Sequence, residues 1–301
     1  MFSKIKNIFL ILLLTISIFT IFALINKYND DEIIPTMASP DISSYLKEDL
    51  NGDGTQDILY IVSKNNKYYL QALINNQIYY FNEKRPLNSL GCFNEYAPLS
   101  INFLDLSRDK IPEIILQSFD DENTPIQHIF SLIDNKFIDI FCSTNNIIGI
   151  LNSKNNKTPE YISLNSNDID KSLSKHILNK KAQKNISYEP TNLKILEPIL
   201  KFTKYLSNNT NFEDYTTESL LDSNIHQTFY KYFNENIKIS NTYSLLDIYF
   251  TDTDWNMKSE PIKFNFKLRF KEISVDKQNS LFVVNLDILK SKDQYIISNI
   301  Y

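Results

Sequence analysis

At 301 residues the chain has room for one to three domains, and with 43% hydrophobic and 13% aromatic residues it can bury a sizeable core. A net charge of −5 argues against a nucleic acid as partner. Two cysteines, Cys92 and Cys142, admit either one disulfide or two buried thiols, and neither lies near a His or a second Cys in a zinc-site spacing. Four glycines are few for a chain with many tight turns, so Asn, which tolerates left-handed backbone, is expected to fill them.

The chain opens on Lys4 and Lys6, followed by an uncharged apolar run from Ile8 to Ile25. At about 1.5 Å per residue in a helix this run nearly spans a hydrocarbon core. It therefore reads as an uncleaved signal anchor within residues 1–32, with a cleaved signal peptide as the other reading. The lysines keep the start cytoplasmic, so the expectation is a single-pass protein of the cell membrane with its bulk extracytoplasmic. Abundant Lys, Asn and Ile suit a bacterial chain.

Residues Asp49-Leu50-Asn51-Gly52-Asp53-Gly54-Thr55-Gln56-Asp57 then lead straight into Ile58–Val62. Oxygen ligands at alternating positions of a tight loop suit a hard cation such as calcium. Asp49, Asn51, Asp53 and Asp57 hold positions 1, 3, 5 and 9, and the Thr55 carbonyl holds position 7. An EF-hand is excluded, because position 12 is Tyr60 rather than Glu and an apolar, β-branched strand follows instead of a helix. The other reading is a solvated turn with no ion.

This stretch resembles the FG-GAP/VCBS repeats, in which a DxNxDGxxD loop leads into a blade strand. Two weaker copies follow, Asp105–Glu113 and Asn152–Glu160, so the loops start at 49, 105 and 152. A period near 50 residues suits a β-repeat array. The pattern after each loop also recurs: strands at 57–63, 68–74 and 78–81 around an Asn75-Asn76 turn, then at 113–119, 126–133 and 137–141 around Asp134-Asn135. The ion chemistry fades along the series. Arg108 and Lys110 bring positive charge to the second loop, where they are expected to pair with its carboxylates, and Lys154 takes a ligand position in the third. Calcium is thus expected in the first loop only. The expected domain is a mainly β repeat unit of partial, propeller-like blades over 41–165, with a linker over 166–190. A short helix is expected around 169–177, with His176 on the surface.

From 191 the texture changes. Helical spacing covers Glu197–Ser207 and Thr217–Asn234, with Pro198 in a first turn. Period-two alternation then sets Ile262, Phe264, Phe266, Leu268 and Phe270 against Lys263, Lys267, Arg269 and Lys271, which reads as a half-buried strand with a basic outer face. Strands at 243–251, 281–289 and 294–301 flank it, and Trp255 reads as a loop-to-core anchor. Helices followed by long strands resemble the NTF2-like or cystatin-like fold, which implies an α+β domain over 191–301 with helices packed on a curved antiparallel sheet. The resemblance also implies a pocket, to which Asp222 and His226, four apart on the expected helix, or Asp287 would contribute.

No Ser-His-Asp motif, His cluster or Gly-rich phosphate loop is visible. The leading expectation is a non-enzymatic binding or envelope-assembly protein. Its expected partners are the membrane through the N-terminal helix and either a cell-envelope protein or an anionic cell-wall polymer. The alternatives are an enzyme using the C-terminal pocket and a structural component with ion-free loops.

Overall fold

A computed structural model describes residues 41–81, 87–179, 182–185, 193–208, 221–222 and 224–301. The expected signal anchor falls outside them. Asp41–Tyr301 forms one compact unit, in which 53% of the described residues are strand and 12% helical. Three antiparallel four-stranded meanders come first. β1 (Asp41–Glu48), β2 (Asp57–Lys64), β3 (Lys67–Ile74) and β4 (Gln77–Tyr80) form one sheet. β5 (Ser100–Leu104), β6 (Glu113–Phe119), β7 (Pro125–Ile133) and β8 (Lys136–Ser143) form the second. β9 (Ile147–Leu151), β10 (Glu160–Leu164), β11 (Ser174–Asn179) and β12 (Ala182–Asn185) form the third.

Local sequence explains the hairpins. Asn65-Asn66, Asn75-Asn76 and Asp134-Asn135 all adopt positive φ at both central positions. That is the backbone a two-residue hairpin needs to match the strand twist, and Asn and Asp supply it where glycine is scarce.

The third meander does not end its sheet. β9 pairs in parallel with β13 (Thr242–Trp255), and β14 (Pro261–Ile273), β15 (Asn279–Ser291) and β16 (Gln294–Ile300) extend it to eight strands. Among the described residues it is accompanied by the single turn α1 (Ile169–Ser172), a 3-10 turn (Lys194–Leu196) leading into α2 (Glu197–Asn208), and α3 (His226–Asn236). Phe202 and Leu206 of α2 and Phe229 and Phe233 of α3 join Phe250, Phe266 and Phe270 in one apolar cluster.

These facts overturn the expected fold class. The chain is mostly β, and its C-terminal part is a sheet continuous with the third meander rather than an α+β layer of its own. The helix expected at 169–177 stops after one turn, because β11 pairs along β10 from Ser174. Among the described residues no helix is long and apolar enough to cross a membrane. The expected transmembrane helix and single-pass membrane location find no support there, and residues 1–32, on which they rest, lie outside the described residues.

The sheets stack through their faces. Leu59, Ile61, Leu70 and Ala72 of the first meet Ile114, Leu116, Phe130 and Phe137 of the second. Ile115, Ile129 and Phe141 of the second meet Ile148, Ile150 and Tyr161 of the third. β6 is therefore buried on both faces along its whole length, which explains its unbroken apolar start, Ile114-Ile115-Leu116.

Candidate functional site

Each meander carries its nine-residue loop between its first and second strands, so the repeat seen in sequence is also a repeat in position. In the first loop Asp49 Oδ1 accepts the Gly52 and Asp53 N–H groups at 2.7 and 3.2 Å, and its Oδ2 accepts Gly54 N–H at 2.8 Å. Asp53 Oδ1 accepts the Thr55 N–H at 2.8 Å and the Thr55 hydroxyl. Its Oδ2 accepts side-chain amides from Asn51 at 2.8 Å and Asn75 at 3.2 Å. The Thr55 hydroxyl, followed by the Asn51 amide, holds the Asp53 carboxyl well below the usual range. Glycine is favoured at 52 and 54 because both have positive φ, and Gly52 also lies against Lys110 O and Ile111.

Asp57 has a different role. It is 4% exposed, beneath the loop, and its Oδ2 accepts the Leu50 N–H at 2.9 Å. Burial pushes its carboxyl up, against that hydrogen bond. The second loop repeats the scheme. Asp105 accepts the Asp109 and Lys110 N–H groups at 3.1 and 2.9 Å, Asp109 accepts Ile111 N–H at 3.0 Å, and Glu113 accepts Leu106 N–H at 2.6 Å. Glu113 is 1% exposed, and burial likewise raises its carboxyl. Position 9 is thus a structural cap for the buried position-2 amide.

In the third loop that cap comes from elsewhere. Glu160 pairs with Lys175, while Asp252 of β13 accepts the Asn152 and Ser153 N–H groups at 2.6 and 2.9 Å and the Trp255 indole N–H at 2.7 Å. Trp255 is anchored in this way at the end of its strand. Arg108 does not pair with its own loop. Its guanidinium donates to the carbonyls of Asn152 at 2.8 Å, Asn155 at 2.9 Å and Lys157 at 3.4 Å. The Asn155 amide in turn donates to Ser259 O at 3.2 Å. The three loops and the β13–β14 turn therefore form a continuous row.

The five expected calcium ligands divide. Asp49, Asn51, Asp53 and Thr55 lie in the loop itself, and Asp57 lies beneath it as a cap. Among the described residues no group of three or more His, Cys, Asp or Glu side chains is placed to hold a metal ion. No Lys or Arg among them pairs with Asp49 or Asp53 either.

The other expected sites do not assemble. Asp222 lies before α3, bonded through its backbone to Ile297 and through its carboxylate to Asn224 N–H, whereas His226 opens the helix, so they do not share a helical face. Asp287 bonds Asn265 and pairs with Lys263 at 3.1 Å. A cleft of about 330 Å³ lies elsewhere, lined by Ile169, Leu193, Leu196 and Leu200 with Lys194, Glu197 and Lys201.

The basic stripe is not a free face. Arg269 is buried, forked onto Asp247 and bonded to Pro98 O, and Lys271 sits 4.3 Å over the Tyr96 ring. His176 is buried rather than on the surface, stacked 4.7 Å from Tyr161, and burial lowers its imidazole to about 4. Cys92 and Cys142 are not joined in a disulfide. Sequence reading missed the buried pair His128–Asp139, joined at 2.9 Å, with the other ring nitrogen 3.0 Å from Ser89 O. Its one signal was a His inside the apolar run Ile126–Phe130.

No protein-family model matches the chain, so nothing among the comparisons supports the FG-GAP/VCBS resemblance. No curated protein matches either. A solved NTF2-like protein involved in plasmid conjugation is similar at 8% identity, over 67% of this chain and 75% of its own, with a TM-score of 0.25. It is a weak neighbour of the NTF2-like kind expected from sequence, and at that score it carries no argument about function.

Proposed function

We propose that this protein is a non-enzymatic binding module that presents the loop row as its recognition edge, as a repeat of the FG-GAP/VCBS kind would. The observation behind this reading is the Arg108 bridge. It joins two equivalently placed loops into one edge, while the buried polar groups His128, Asp139, Glu113, Asp247, Arg269 and Asp252 are each engaged in holding the frame. An enzyme would need such groups to reach a cleft, and the expected pair Asp222–His226 does not form.

The first loop is the calcium-accepting member of the row in this reading. Asp49, Asn51, Asp53 and the Thr55 carbonyl are the donors, with Asp57 fixing the loop from below. The second loop carries the cations Arg108 and Lys110 and the third carries Lys154 and Lys157, whereas the first has none. Calorimetry of the full chain with calcium tests this. Binding in the micromolar-to-millimolar range, lost in Asp53→Ala, is the expected result. No heat and no rise in melting temperature would leave the loop a hydrogen-bonded turn and remove calcium from the reading.

A further inference from the structure

The first sheet ends the stack. Its inner face carries Leu59, Ile61, Tyr68, Leu70 and Ala72 into the core shared with the second sheet. Strand alternation places every second residue on the opposite face. The register there reads Tyr45↔Tyr60↔Gln71↔Tyr80, one unbroken row across all four strands. Three spacings of about 4.8 Å make that row roughly 14 Å long. Tyr69 stands one pleat along β3 on the same face. Tyr45, Tyr69 and Tyr80 are 58%, 43% and 59% exposed. None of the four phenol hydroxyls has a hydrogen-bond partner among the described residues.

The charge on this face is one-sided. Lys47, Lys64 and Lys67 lie on it and are exposed, while Glu48 and Asp57 of the same strands alternate onto the opposite face. Lys64 and Lys67 stand directly opposite each other across the hairpin, a like-charge pair that costs stability unless an anion sits between them. Asp120 and Asp121 approach only at the Cys92 end, where Lys67 also lies. In a chain of net charge −5, this is a local cationic field around a row of aromatic rings.

From this geometry we propose that the outer face of the first sheet binds an anionic polysaccharide, its sugar rings stacked along Tyr45, Tyr60 and Tyr80 and its acid groups at Lys64 and Lys67. Flat rings with free hydroxyls, and the Gln71 amide between them, suit sugar faces and sugar hydroxyls together. A protein partner fits less well, because interface cores are depleted in Lys. A nucleic acid fits less well too, because its dense phosphate charge demands more cations than three and is opposed by the net charge. This surface uses residues separate from the loop row, so the two proposals stand or fall independently.

The test is affinity electrophoresis of the full chain in native gels containing polygalacturonate. Retardation that weakens with added salt is expected. It should drop by roughly tenfold in affinity in Tyr60→Ala/Tyr80→Ala, as loss of aromatic stacking predicts, and also in Lys64→Gln/Lys67→Gln, with Lys231→Ala on α3 unchanged. The lysine variant lies at an exposed hairpin and keeps the test decisive if the tyrosine variant loses stability. Absence of retardation, or equal retardation of the variants, overturns the proposal. So does equal retardation by neutral dextran, tighter binding of oligothymidylate, or a dimer in sedimentation that Tyr60→Ala dissociates.

Discussion

His176 illustrates how a single residue sets a pH response. Its ring is buried and stacked on Tyr161, and burial favours the neutral form down to about 4, against an ordinary value of 6.5. The folded state then binds fewer protons than the unfolded state between those two values. The stability this residue contributes is therefore complete above pH 6.5 and is lost as pH falls toward 4. The slope from one such group is at most about 1.4 kcal/mol per pH unit. His176→Phe keeps the stacking and removes the titration. Between pH 7 and pH 5 the wild type should lose roughly twentyfold more in its folding equilibrium constant than the variant does, read from urea unfolding at both pH values. Parallel losses would mean that His176 is solvated enough to titrate normally.

At this same scale some of the candidate site was legible in the sequence and some was not. Asp49 and Asp53 were readable because an Asx-rich loop makes its own local hydrogen bonds, and those depend on spacing alone. The role of Asp252 was not readable. Its partners are about a hundred residues away at Asn152 and Ser153, and alternation along β13 tells which face a residue takes without telling what packs there. Arg269 failed for the same reason. Its position on a polar face was legible, but the Pro98 carbonyl and the second sheet that cover it were not.

Among the elements, the loops differ in what holds their left-handed positions. Gly52 and Gly54 occupy positions 4 and 6 of the first loop with φ of +76° and +87°. Arg108 and Lys110 occupy the same positions of the second with φ of 60° and 73°. A side chain in this region costs on the order of 1–2 kcal/mol. In the second loop that cost is offset at Arg108 by the carbonyls of the third. Gly54→Ala should cost about 1 kcal/mol, because space around it is open. Gly52→Ala should cost more, roughly 2 kcal/mol, because an added methyl meets both Lys110 O and Ile111 Cγ1 at 3.1 Å. Urea midpoints for the two variants check this order, and equal costs would show that the first and second loops are not in contact. The Asn-Asn hairpins belong to the same scale. They were legible because a two-residue turn between β-rich runs is specified locally.

The whole molecule depends on one junction. The three meanders follow one another along the chain and could be anticipated from their period, but the parallel pairing of β9 with β13 joins segments about a hundred residues apart, and no local pattern announces it. A single strand pairing therefore decides whether the third meander and the last four strands are one sheet or two.

Gly149 sits at that junction, opposite Phe250 in the register. The Phe250 ring lies directly over the glycine and stacks at 4.6 Å on Phe266, with Phe250 and Phe266 both fully buried. Any Cβ at 149 would fall inside the Phe250 ring, and the ring has no free volume to retreat into because the core around it is closely packed. Gly149→Ala should therefore cost about 3 kcal/mol, at the upper end of overpacking. Phe250→Leu alone should cost about 1 kcal/mol, as a volume change in a closed core. The double variant should be more stable than Gly149→Ala, because the smaller side chain leaves room for the methyl. Such non-additivity is the signature of two residues in contact, and thermal or urea unfolding of the four proteins reads it. Additive losses would mean that β9 and β13 are not paired as described, and the eight-stranded sheet would then divide at that seam.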